Sequence, residues 1–404
     1  MPAPLEPQPR RAQLGVRLLL VLGLLSAVGP FGVDLYLPSF PAIAAEFETS
    51  ATGVQLTLTG FLVGIMVGQL TFGPLSDRIG RRVPLIIGAS VFVVSSAAAV
   101  FAPTLGVLIA ARVLQGFAGA AGMVLGRAII SDLSVGTSAA RSMSLMMMVS
   151  GVAPVVAPLV GGVLAEPLGW RGVLAVLLAI AVVMLVAVIW GVRESLPAGR
   201  RAELADARQT EGNPARRLLS RQYIGHTLTF AATFTVMMAY ISASPFLYQS
   251  MLGASELQYA MLFGLNAFAL ITTGAISARA VTRFGARRLA AFGLAGVTAG
   301  SLTVFISAIF SASPWVLAAA VFVVVASVGF VLGNATALAL AAVPRAAGTA
   351  SALLGALQFG CAAAVSPFVS VGGEYSALPL GIIMTSAATV AIIAFASARA
   401  RTLH

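Results

Sequence analysis

Long apolar runs separated by short polar gaps dominate the hydrophobic pattern of the chain. A helix needs roughly 20 apolar residues to cross about 30 Å of hydrocarbon. Runs of that length, with Gly and Pro allowed inside them, fall at 16–40, 54–75, 84–103, 104–131, 141–165 and 171–192. Six more follow at 223–248, 257–278, 289–311, 314–340, 348–370 and 377–398. The runs are continuous and lack the period-two alternation of a membrane β-barrel strand. The pattern predicts an all-α polytopic membrane protein with twelve transmembrane helices. The first run carries its apolar character past Ala27 to Phe40 with no A-x-A site, so it reads as an uncleaved span and not as a signal peptide.

The one long polar stretch is 193–221, rich in Arg, Ala and Glu and broken by Gly212, Asn213 and Pro214. It divides the spans six and six. The expected organisation is an N-terminal six-helix bundle over 1–192, a cytoplasmic linker over 193–221 and a C-terminal six-helix bundle over 222–404. An internal echo supports two pseudo-symmetric bundles. Asp77-Arg78-Ile79-Gly80-Arg81-Arg82 follows the second span, and Thr282-Arg283-Phe284-Gly285-Ala286-Arg287-Arg288 follows the eighth. Aligned on Gly80 and Gly285, Arg78 matches Arg283 and Arg82 matches Arg287. Duplicated halves are the architecture of carriers that rock around a midplane site.

Composition narrows the class. Of 404 residues, 59% are hydrophobic and 9% charged, against about 25% charged in a soluble domain. A single Cys and two His leave neither a disulfide framework nor a zinc site. The net charge of +11 comes from arginines alone, and they sit in the gaps between apolar runs, so no nucleic-acid partner is expected. All but Arg112 and Arg171 of the 24 basic residues fall on one side of the predicted topology. By the positive-inside rule that side is cytoplasmic, with both termini on it.

The candidate chemistry lies within the spans. Arg112 stands eight residues inside Thr104, about 12 Å deep at 1.5 Å per residue, and a cation there needs a counter-charge or a watery cavity. Asp34 stands six residues in from Phe40, about 9 Å deep, so the two reach similar depth and are expected to meet across one cavity, as coupling residues or as a structural ion pair. Gln115, Asn266, Asn334 and Gln358 are polar candidates for the cavity. Phe31, Tyr36, Met147, Phe234, Met238 and Tyr240 are candidates for its walls. No H-E-x-x-H or G-x-G-D pattern occurs, so the expectation is not an enzyme, with no catalytic residues, metal or cofactor.

Four motifs resemble a known family. Gly73-Pro74-Leu75-Ser76-Asp77-Arg78-Ile79-Gly80-Arg81-Arg82 resembles the signature loop of the major facilitator superfamily at every defining position. Arg112-Val113-Leu114-Gln115-Gly116-Phe117-Ala118-Gly119 is similar to that superfamily's intramembrane arginine motif. Val33-Asp34-Leu35-Tyr36-Leu37-Pro38-Ser39-Phe40-Pro41 resembles the first-span motif of its Bcr/CflA drug-resistance subfamily. The span-five stretch from Gly151 through Pro154 and Pro158 to Gly161 and Gly162 resembles the antiporter motif ending G-P-x-x-G-G, with Ala157 in place of its first Gly.

The resemblance implies the major facilitator fold and a proton-coupled antiporter. Its substrates would be antibiotics or other small drugs, chloramphenicol/florfenicol-like or bicyclomycin-like, exported across a bacterial cytoplasmic membrane by alternating access. It implies proton and substrate coupling at Asp34 and Arg112. It also implies a gating latch at Gly73, Asp77, Arg78, Gly80, Arg81 and Arg82, and a seal against proton leak at the span-five motif. The partners implied are a small-molecule drug, protons and the lipid bilayer, with the protein a monomer. The alternative is a metabolite uptake carrier or uniporter of the same fold.

Overall fold

The computed structural model describes residues 16–134, 136–199, 201, 219–343 and 347–398, with no strand among them. Its helices are α1 Val16–Asp34, α2 Phe40–Glu46, α3 Ala51–Ile79, α4 Arg82–Val100, α5 Leu105–Leu133 and α6 Gly136–Gly191 in the first half. The second half holds α7 Arg221–Pro245, α8 Glu256–Phe284, α9 Ala286–Ile309, α10 Pro314–Ala341, α11 Ala347–Val365 and α12 Leu378–Ser397.

Among the described residues eleven helices are long and apolar enough to cross a membrane, which makes this a multi-pass membrane protein. One of them, Val152–Gly191, runs to 40 residues. At 1.5 Å per residue that is about 60 Å, twice the hydrocarbon thickness of about 30 Å. The chain reverses inside it at Gly169, whose φ of 64° lies in the left-handed region. Counting both arms gives twelve crossings, as the sequence predicts.

Local chemistry sets the helix ends. Ser50, Thr104, Ser220 and Ser255 each accept a hydrogen bond from a first-turn backbone N–H, and Ser255 forms a full capping box with Gln258. Gly80 and Gly285 end α3 and α8 at φ 99° and 79°, which an L side chain adopts only under strain. The first span departs from expectation. Its helix stops at Asp34, turns through a short 3-10 segment at Leu37–Ser39 and resumes at Phe40. Pro38 and Pro41 explain the break, since proline lacks the N–H and disfavours helix in the residue before it.

Small residues bring the first-half helices together. A Cβ on Gly64 or Gly116 would strike backbone of the facing helix, Val113 O for the one and Phe61 O for the other. With no hydrophobic force between helices in lipid, such close packing holds α3 and α5 together.

The two halves meet at the end that carries α2 and the start of α3. Among the described residues four hydrogen bonds cross there. Gln55 Nε2 donates to Ser242 O at 3.0 Å and to Ser370 Oγ at 2.8 Å, Thr52 Oγ1 donates to Ser370 O at 3.2 Å, and Gln249 Nε2 donates to Pro38 O at 2.8 Å.

Candidate functional site

From that closed end a cavity of about 480 Å³ runs between the halves toward the end with the Gly80 and Gly285 turns. Its walls come from α1, α3, α5, α6, α7, α8, α10 and α11 and are mainly apolar. Asp34 lines it, and it is only 3% exposed. Its Oδ1 has no hydrogen-bond partner. Burying an ionised carboxylate without a partner is among the costliest arrangements a protein can hold. Either a proton or a polar ligand in the cavity would relieve that cost.

Arg112 does not pair with Asp34, contrary to the expectation. It is fully buried and does not line the cavity. Its guanidinium lies between two aromatic rings, 4.3 Å from the Tyr36 centroid and 4.2 Å from that of Phe61. Its N–H groups donate to Gly32 O and to Gln115 Oε1. Gln115 in turn donates to Ser96 Oγ at 2.6 Å. A side chain on Gly32 would strike the Phe61 ring, so the bare backbone there is what admits the stack. Cation–π contact and neutral acceptors stand in for a counter-ion, and Arg112 ties α1, α3, α4 and α5 into one unit.

The remaining candidates divide. Phe234, Met238, Tyr240 and Gln358 line the cavity, as does Pro154 of the span-five motif. Tyr36 and Gln115 belong instead to the buried Arg112 unit, and Phe31 is not part of the cavity wall. Asn334 donates to Ser277 Oγ at 2.8 Å, away from the cavity. Asn266 sits just behind the wall and donates to both Tyr240 Oη and Tyr248 Oη at 2.8 Å. Tyr259 bonds to Ser244 at 3.0 Å. The side chain of Met147, and Gly151, lie outside the described residues.

Gly161 and Gly162 form a contact point. A Cβ on Gly161 would strike Leu35 O, the carbonyl next after Asp34. One on Gly162 would lie 2.7 Å from Glu256 O and 2.6 Å from Ala260 Cβ, across the seam on α8. Pro158, buried beside them, removes one helical hydrogen bond.

The loop from Gly73 to Arg82 is anchored in the first half. Arg81 donates to Asp77 Oδ1 at 2.5 Å, Ser76 Oγ at 2.7 Å and Asp132 Oδ2 at 2.9 Å. The backbone N–H groups of Arg81 and Arg82 donate to Glu194 at 2.9 and 3.2 Å, and Leu196 N–H adds a third at 2.9 Å. Burial pushes the Glu194 carboxyl up, but these backbone donors and the Arg201 charge outweigh it and hold the group below its usual range. Gly80 is needed twice, for its φ and because a Cβ would strike the Glu194 carboxylate. Arg82 reaches Ile189 O at 3.2 Å at the end of α6. Its counterpart Arg287 reaches Phe395 O at 3.4 Å at the end of α12, so the echo in sequence is an echo in space.

Sequence reasoning missed three residues. No local pattern singles out Glu194 or Asp132, whose partner Arg81 lies far away along the chain. Arg127 was counted among cytoplasmic residues, whereas the structure puts it inside α5 on the cavity wall.

Comparison with known proteins agrees with this architecture. Residues 22–367 match the Major Facilitator Superfamily. The chain is 37% identical over 383 residues to an uncharacterized MFS-type transporter YdgK of Bacillus subtilis (strain 168), covering 93% of each. It is 29% identical to a bicyclomycin resistance protein homolog of Haemophilus influenzae, covering 93% of this chain and 94% of the other. Among solved structures it resembles the partially occluded inward-open xylose transporter XylE of E. coli. That match has a TM-score of 0.72 at 16% identity and covers 92% of this chain and 96% of the other.

Proposed function

This chain belongs to the Major Facilitator Superfamily, a family of transporters, and on that premise we propose that it is a proton-coupled antiporter exporting antibiotics or other small drugs by alternating access. The observation that carries the reading is the unpartnered carboxylate of Asp34 on the wall of a closed-ended, mainly apolar cavity between the halves. Proton and drug compete for one group, and that competition is what exchange requires. With Asp34 ionised, the cavity attracts a polar or cationic drug. Protonation from the opposite side discharges it and lets the empty carrier return. Moving one charge across 100 mV supplies about 2.3 kcal/mol, before any pH gradient is counted.

The arginine distribution supports setting the open end of the cavity in the cytoplasm of a bacterium, with both termini there and the linked end facing out. Residues 1–192 and 222–404 are the moving halves, 193–221 is their cytoplasmic linker, and the carrier works as a monomer. The Gly161–Gly162 contact beside Asp34 seals the outer side against proton leak. The Gly73–Arg82 loop gates the inner side. Arg112 acts on coupling by positioning, since it holds the backbone of Gly32 two residues from Asp34. Chloramphenicol/florfenicol-like and bicyclomycin-like drugs are the proposed substrates, the second supported by the Haemophilus influenzae relative, a bicyclomycin resistance protein homolog.

The test is chloramphenicol movement in everted vesicles containing the protein, with and without a protonophore, alongside Asp34→Asn. Protonophore-sensitive transport in the wild type and background transport in Asp34→Asn are expected. Proton-driven transport surviving in Asp34→Asn would overturn the coupling role. Flux indifferent to the gradient would move the protein to a uniporter or metabolite carrier.

A further inference from the structure

The cavity holds a second ionisable side chain that the transport reading does not use. Arg127 on α5 lines it and has no carboxylate within ion-pair distance among the described residues. Its Nε donates to Met123 O at 3.0 Å, one turn back along α5, which directs the side chain toward the middle of the membrane. An arginine seeking the nearest water would extend the other way, toward the end of α5 at Leu133. A Cβ on Gly122 would lie 2.9 Å from Leu25 O and one on Gly126 3.7 Å from Leu22 O, which sets the register of α5 against α1. The Arg127 guanidinium, bonded at Met123 O, therefore lies near residue 25 of α1, nine residues or about 13 Å along the axis from Asp34.

One mainly apolar cavity thus carries two opposite charges, each without a protein counter-ion and too far apart to satisfy each other. Gln69 and Gln358, on the same wall, make no hydrogen bond to any described residue. Polar groups left open around an apolar hollow fit a ligand that completes them. A guanidinium presents a planar fork of donors that matches a carboxylate bidentately.

We propose that Arg127 is the subsite for an acidic group, and that the substrates of this cavity include amphipathic carboxylates and zwitterions as well as neutral or cationic drugs. The inference rests on reading the cavity as the transport site. A substrate carboxylate at Arg127 leaves its apolar body in the wider hollow and, in an elongated zwitterion, the amine within reach of Asp34. A neutral analogue of the same shape strands the fork, and sites with stranded polar groups discriminate strongly.

The test uses one fluorescent body in two charge states, dansylglycine and dansylglycinamide, with chloramphenicol as a third compound. Binding to the purified protein and gradient-driven transport in everted vesicles are measured for wild type, Arg127→Gln and Arg127→Lys. Wild type should prefer the acid to the amide by at least about tenfold in apparent affinity, the scale of one charge-assisted hydrogen bond. Arg127→Gln should abolish that preference, and Arg127→Lys should keep part of it. Equal affinity of the wild type for acid and amide overturns the subsite without needing any variant to fold, and so does a preference that survives in Arg127→Gln. Chloramphenicol transport without an acid preference leaves export standing and removes the subsite. An Arg127-dependent preference without gradient-driven chloramphenicol transport removes export and leaves the subsite.

Discussion

The first half of the molecule does its polar work with charge, and the second half does it with neutral groups. Asp34, Arg112 and Arg127 stand within first-half helices, and the Gly80 turn is clasped by Arg81, Asp132 and Glu194. The second half has no Asp, and its only acids after residue 221 are Glu256 and Glu374. Behind its inner wall, which Tyr240 lines, Tyr240 and Tyr248 are joined through Asn266 and Tyr259 bonds Ser244, all by neutral hydrogen bonds. The difference teaches that duplicated folds share geometry without sharing chemistry. Arg82 and Arg287 bond equivalent helix ends, yet Gly285 has no atom within 4 Å of its would-be Cβ, where Gly80 has a carboxylate. Ions concentrate in one half, and the other offers a softer, adaptable face.

The comparison sharpens most at the two buried charges. Arg112→Ala strands Gly32 O and the Gln115 amide, opens a void and removes the stacked cation. At about 1–3 kcal/mol per stranded group plus the void, a loss of about 3–5 kcal/mol is expected. Asp34→Asn, which breaks no protein contact through Oδ1, should leave thermal unfolding of the purified protein nearly unchanged. If Asp34→Asn proved the more destabilising of the two, the division into structural and transport charges would fail.

A smaller contrast separates the two glycine turns. Both need φ in the left-handed region, which costs an L residue roughly 1–2 kcal/mol. Gly80→Ala adds the collision with Glu194 and should cost about 1 kcal/mol or more beyond Gly285→Ala. Equal melting temperatures for the two variants would mean that the clasp contributes nothing.

The smallest effect is in pH. Because the folded Glu194 carboxyl is held below its usual range, its stabilising contribution is complete above the unfolded value near about 4.3. That contribution is lost as pH falls through the lower folded value. Amide exchange at 76–82, corrected for intrinsic rates, should therefore rise below about pH 4. Exchange at 281–288, which has no such carboxylate, should not follow. Parallel changes in the two loops would erase the distinction.

Much of this was legible from residues alone. Apolar length gave the crossings, and the polar gap between 165 and 171 marked the reversal that the fold makes at Gly169. The four motifs led to the family, and Asp34 stood out as a carboxylate inside a span. What was not legible is direction around a helix. Depth along the axis put Arg112 level with Asp34, but Arg112 faces Tyr36 and Phe61 while Asp34 faces the cavity. Arg127 was masked for a related reason, because closeness to a span end looks like a loop until the side chain is seen to turn inward. Glu194 lies 113 positions from the backbone group it receives, and no local pattern encodes a contact of that kind.

The joint at the closed end is fastened by amides, hydroxyls and carbonyls, with no ion pair crossing it among the described residues. Dipoles at that range are indifferent to ionic strength, whereas exposed charge pairs weaken as salt shortens the Debye length. On the proposed alternating-access reading, the balance between shut and open at this face is therefore the same in dilute and saline surroundings, and salinity on that side is not a lever on the cycle.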